Sequence, residues 1–121
     1  MKSERMQREL EAMAGMHGVI GCAVIDTEGG MAWHTAGAAD ALQPMAEAAS
    51  DYWRMFLRRR GDFGALGEIR ALVVMHARGR LTLAACGAQL LLVSLTAEPD
   101  TVDWRAWKAR VGALQQAVAS M

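Results

Sequence analysis

Residues 14–29 read AGMHGVIGCAVIDTEG, and this stretch sets how the rest of the chain is parsed. Val19 to Asp26 (VIGCAVID) is rich in β-branched residues and apolar on both alternating sets. Val19, Gly21, Ala23 and Ile25 are expected to face one way, and Ile20, Cys22 and Val24 the other. A strand apolar on both faces lies in a sheet covered on both sides. Upstream, Met6, Leu10 and Met13 recur at i, i+4 and i+7 with charges opposite them, which predicts a helix over Ser3–Ala14. Gly15 can stop that helix, because glycine enters the left-handed C′ conformation without steric cost. Downstream, Thr27-Glu28-Gly29-Gly30 turns the chain, and Met31 to Thr35 returns as a second strand.

A second helix is expected over Ala41–Arg59, with Asp40 as N-cap and Pro44 in the first turn, where its missing N–H matters little. On a wheel at 100° per residue, Leu42, Met45, Ala49, Trp53 and Phe56 cluster. Ala41, Ala48, Tyr52 and Met55 widen the apolar arc on one side, and Ala46 and Leu57 widen it on the other. The arc spans on the order of 200°, well past the ~100° stripe of a surface helix. One sheet face cannot cover it, so a partner chain is the economical cover for the excess.

Residues 61–67 (GDFGALG) read as a loop. Glu68–Ala77, Leu81–Cys86 and Leu90–Leu95 then read as three strands joined by turns at Arg78-Gly79 and Gly87-Ala88, an antiparallel meander. After Glu98-Pro99-Asp100, with Asp100 or Thr101 as N-cap, a last helix carries Trp104, Trp107, Val111, Leu114 and Val118 on one stripe. The expected order is α-β-β-α-β-β-β-α, an α+β class, within one domain spanning 1–121.

Composition excludes several classes. The 121 residues carry 13 Lys+Arg against 13 Asp+Glu, which leaves no basic excess to displace phosphate counterions or hold an anionic membrane. Nucleic acid is therefore not an expected partner. The hydrophobic share of 53% is too high for a disordered chain. Two cysteines, Cys22 and Cys86, are too few for a disulfide-built secreted domain. The N-terminus leads into a charged amphipathic stretch, not an apolar leader. The long uncharged run Leu81–Ala97 is interrupted by Gly87-Ala88-Gln89 and diluted by Thr82, Ser94 and Thr96, so it reads as a hairpin and not a membrane span. These features together predict a cytoplasmic protein without membrane insertion.

The residues that could carry chemistry do not converge. Gly15, Gly18, Gly21 and Gly61, Gly64, Gly67 repeat G-x-x-G-x-x-G, but each set leaves a helix and enters a strand, the reverse of a phosphate-binding loop. They read as turns needing positive φ. His17, His34 and His76 have no His or Cys at metal-ligand spacing, so no metal is expected. Cys22 sits mid-strand among apolar residues, and nothing activates Cys86, so both read as small buried hydrophobes. No catalytic residue and no cofactor is expected. Arg58-Arg59-Arg60, the basic run, suits the negative end of the second helix dipole; its sharper reading is a contact for an acidic protein partner.

The stretch 14–29, with its helix, then G-V-x-G-a, then an apolar strand ending in D-x-x-G, resembles the Roadblock/LC7 family. Ala71-Leu72-Val73-Val74, the Leu81–Leu95 hairpin and Glu98-Pro99-Asp100 match in position. The Trp104/Trp107 pair, Pro44 and the glycine-rich 61–67 segment depart from the pattern. The resemblance implies a profilin-like sheet of five antiparallel strands in the order 2-1-5-4-3, with the second helix on one face and the first and third on the other. It further implies a homodimer in which second helices pack together and third strands pair edge to edge. Ala41, Met45, Ala48, Tyr52, Met55, Ile69, Ala71 and Val73 would then form the interface, and Arg58, Arg59 and Arg60 a partner contact. Family members are non-catalytic proteins that bind and regulate Ras-like GTPases, or serve as light chains and scaffolds. The competing reading is a small-molecule sensor of profilin-, PAS- or GAF-like architecture, in which the wide helix covers a ligand pocket. An enzyme using Cys86 is a third.

Overall fold

The computed structural model describes residues 2–38, 42–97 and 100–120. The elements run α1 (Lys2–Ala14), β1 (Val19–Asp26), β2 (Ala32–Gly37), α2 (Leu42–Arg58), a 3-10 helix (Arg60–Leu66), β3 (Ala71–His76), β4 (Gly79–Gly87), β5 (Leu90–Ala97) and α3 (Trp104–Ala119). The strands form one antiparallel sheet in the order β2-β1-β5-β4-β3. The strand order implied by the resemblance is the observed one.

β1 and β5 are central, which explains their two-sided apolarity. On one face Cys22, Val24, Leu90 and Leu92 meet Met6, Leu10 and Met13 of α1 and Trp107, Val111 and Leu114 of α3. On the other face Ala23, Ile25, Leu83, Leu91 and Val93 meet Ala46, Ala49 and Trp53 of α2. Ser94 is buried in the first of these layers and satisfied there. Its hydroxyl accepts from the Trp107 indole N–H at 3.1 Å, lies 3.6 Å from Cys22 Sγ and donates toward Met13 Sδ at 3.7 Å. One small polar group thus ties α1, α3 and β1 to β5 without leaving an unpaired atom.

The faces of β1 differ from the expected alternation at its start. The register with β5 shifts between Val19 and Gly21, a bulge that gives two residues to one partner. Val19 therefore joins the α1/α3 layer instead of sharing a face with Ala23 and Ile25. Ile20 is left exposed beside α2. Gly21 sits in close packing, since a Cβ there would lie 2.8 Å from Leu42 Cδ2 and 3.0 Å from the Ala36 carbonyl oxygen. Of the repeated glycines only Gly18 and Gly67 take positive φ, so the turn reading holds for those two alone.

Other boundaries also move. β2 runs to Gly37, and the 61–67 stretch is a 3-10 helix over Arg60–Leu66, steadied by Phe63 stacking on Phe56 at 5.2 Å. β3 starts at Ala71, not Glu68, leaving Ile69 ahead of the strand. The hairpin loops are Ala77-Arg78 and Ala88-Gln89, one residue off the expected turns. Asp103, not Asp100 or Thr101, caps α3, accepting from the Ala106 N–H at 3.1 Å. Asp100 instead holds the approach to α3, accepting from the Val102 N–H, the Trp104 indole N–H at 2.7 Å and Arg80 at 3.1 Å. The expected N-cap Asp40, together with Ala41, Glu98 and Pro99, lies outside the described residues.

Candidate functional site

α2 divides its apolar arc between two jobs. Leu42, Ala46, Ala49, Ser50 and Trp53 are buried against the sheet. Met45, Ala48, Tyr52 and Met55 stand exposed, Met55 by 54%. These four follow a 3-4-3 spacing, the seam by which one helix packs on another. Charged residues do not interrupt them.

The sheet also has an open edge on the β4 side of the helix. β3 has β4 on one side and no neighbouring strand on the other, among the described residues. Leu72 and Val74 lean into the α2 layer. By alternation Ala71, Val73 and Met75 face the α1/α3 side, where they are uncovered: Val73 is 49% and Met75 67% exposed. A groove of about 450 Å³ lies between the helix stripe and the sheet, lined by Ile20, Met45, Tyr52, Leu81 and Leu95 among others, and reaches β3 at its last residue, His76. Arg78 and Arg80 also line it. Exposed apolar stripes and unpaired strand edges are features that mark protein contact surfaces.

Met45, Ala48, Tyr52 and Met55 are thus brought together, and Ala71 and Val73 lie on the neighbouring edge. Ile69 is half-buried on the α2 layer, and Ala41 lies outside the described residues. The sequence reading missed Ile20, Met75 and His76. Met75 was findable, since it continues the Ala71, Val73 alternation; Ile20 was not, because only the bulge exposes it.

The three arginines separate. Arg58 ends α2 and is exposed. Arg59 pairs with Asp62, its Nε 2.9 Å from Oδ2. Arg60 borders a second groove, of about 570 Å³, with Trp53, Phe56 and Glu68.

Cys22, Cys86, His17 and His34 line neither groove, and His76 is the histidine that lines the first. Cys22 and Cys86 are buried, and burial pushes the Cys22 thiol up to about 11 and the Cys86 thiol to about 12. A thiol so placed stays protonated and is a poor nucleophile at neutral pH. His17 is exposed, and His34 Nδ1 lies 2.9 Å from Gln7 Oε1. Among the described residues no group of three His, Cys, Asp or Glu could hold a metal ion, and no helix is long and apolar enough to cross a membrane.

Comparison with solved structures defines the class by fold. The chain superposes on a Roadblock/LC7 domain from Streptomyces avermitilis with a TM-score of 0.79 at 17% identity, over 94% of each chain. The chain therefore has the Roadblock/LC7 fold. It is similar in structure to the gliding protein MglB of Thermus thermophilus (TM-score 0.75, 21% identity, 98% of this chain and 89% of that one). It is also similar to MglB of Myxococcus xanthus (0.74, 11%, 98% and 87%). No protein-family model and no curated protein matches the sequence.

Proposed function

We propose that this protein is a non-catalytic, homodimeric regulatory or scaffold module that engages a small Ras-like GTPase or a related NTPase complex, and that it works in the cytoplasm. The observation that carries the reading is the exposed Met45, Ala48, Tyr52, Met55 stripe on the same molecule as the open edge of β3. A second copy would cover both at once, because an isologous contact uses the same patch twice. The fold shared with MglB, a protein named for gliding, and the family resemblance of residues 14–29 supply the GTPase side of the reading. Two α2 helices packed side by side would form a continuous platform, with Arg58 and Arg60 of each copy at its ends as contacts for acidic groups.

The test uses the purified protein with the small Ras-like GTPases of its source organism, each loaded with GTP or GDP. Binding that depends on the nucleotide, with a changed rate of hydrolysis or exchange, is expected. Failure to bind any of them in either state would overturn the GTPase assignment.

A further inference from the structure

We propose that, in the dimer read above, the two β3 edges meet in one register alone, with Val73 facing Val73 on the two-fold axis. The proposal rests on the dimer reading above and names the register and contacts. The β3–β4 loop has two residues and closes on the pair His76 and Gly79. Such a pair exchanges both backbone hydrogen bonds, so Val74 and Leu72 also bond toward β4. The N–H and C=O groups of Ala71, Val73 and Met75 then point to the open edge.

A two-fold axis perpendicular to the sheet keeps both α2 helices on one face. Residues directly opposite across the new edge share a face, so Ala71, Val73 and Met75 must meet the same three residues of the other copy. The axis therefore passes through Leu72, Val73 or Val74. A Leu72 centre sets Met75 against Ile69, which lies outside the strand, and a Val74 centre sets Ala71 against Ala77 in the hairpin loop. Only the Val73 centre pairs every outward group of both strands.

Side chains favour the same register. With Val73 on the axis, the large exposed Met75 lies over the small Ala71 of the second copy, and Leu72 lies beside Val74. Counting on past the strand ends, exposed Glu68 comes to the end of the joint that exposed Arg78 occupies, opposite charges at both ends, and Arg70 comes to His76. The Val74 centre would instead set Arg70 against Arg78, like against like. The α2 stripe has matching symmetry. About a point midway between Ala48 and Tyr52, an antiparallel helix pair sets small Ala48 against large Tyr52 and Met45 against Met55.

Three single variants, Leu72→Cys, Val73→Cys and Val74→Cys, test the register by air oxidation and non-reducing electrophoresis; buried Cys22 and Cys86 stay silent. A hydrogen-bonded antiparallel pair has Cα atoms about 5.5 Å apart, within disulfide reach, whereas positions one residue off the axis are beyond about 7 Å. Val73→Cys should crosslink, and the other two should yield about a tenth as much or less. A second arm measures the dimer Kd: Ala71→Met should raise it about ten-fold or more by overpacking against Met75, and adding Met75→Ala should bring most of that back. Crosslinking centred on 72 or 74, or no recovery in the double variant, overturns the register while leaving the dimer. A wild-type chain that stays monomeric overturns the dimer reading itself.

Discussion

Neighbouring residues of α2 should respond in opposite ways to the same new charge. Ala48 lies on the exposed stripe, and Ala49, 1% exposed, packs on the β1 and β5 side chains. Ala48→Glu changes helix propensity by less than about 0.7 kcal/mol and leaves the single chain's packing intact. In a dimer through the stripe, however, it places an unpaired carboxylate in an apolar joint twice, once from each copy. Leaving one such charge uncompensated costs about 3 kcal/mol or more. Taking only that minimum for both copies, because a glutamate on a helix surface can bend toward water, the dimer Kd should rise about 100-fold. Ala49→Glu instead buries the charge within the protomer, where a cost of several kcal/mol consumes much of a total stability of about 5–15 kcal/mol. Sedimentation velocity and thermal melting report the two effects separately. Ala48→Glu should give a folded monomer, and Ala49→Glu a protein that melts early or does not fold. Ala48→Glu retaining the wild-type dimer Kd would refute the assignment of the stripe, whatever Ala49→Glu does.

Three further outcomes follow from the core and its titratable groups. Leu92→Ala, at a fully buried site between α1 and α3, should cost about 2–5 kcal/mol in urea unfolding, while Leu66→Ala on the exposed 3-10 helix should fall within about 0.5 kcal/mol of wild type. The Cys22 and Cys86 thiols are raised from 9.0 in the fold, so their contribution is complete below pH 9.0 and is lost as pH climbs toward 11 and 12. Alkaline melts should therefore fall less steeply in Cys86→Ala than in wild type, and Ellman's reagent should label neither thiol until the protein unfolds. Asp100 has its carboxyl held low, by the Trp104 indole N–H first and then by the Val102 N–H and Arg80. Its stabilisation is present above the ordinary carboxylate range and lost as pH falls through the lowered value, so Asp100→Asn should lower Tm at neutral pH and flatten the acid limb of the stability curve.

The parts of the fold that were legible in the sequence are those with a strong period. β1 is apolar on both alternating sets because it is a central strand, and α1 shows i, i+4, i+7 because one stripe alone is buried. The bulge at Ile20 was illegible for the same reason that β1 was obvious: where every position is apolar, a slip of one residue leaves no trace in the pattern. Gly79 drew the predicted turn onto itself, yet it is a strand residue, and a Cβ there would sit 3.1 Å from the Thr96 carbonyl. Asp100 and Thr101 were the caps read from the sequence, and only the tertiary contacts of Asp100 with Arg80 and Trp104 left Asp103 to cap the helix. At the candidate site the width of the α2 arc foretold an apolar excess. Which half faced outward was set by where β1 and β5 lie beneath it, and no periodicity within α2 carries that information.

The central claim is that the exposed α2 stripe and the β3 edge are covered by a second copy. Light scattering on the wild-type chain, followed through a dilution series in the micromolar range, tests it without any substitution. A mass of twice the 13.1 kDa of one chain, holding until dilution splits it, is the expected result. A mass of 13.1 kDa at every concentration would contradict it.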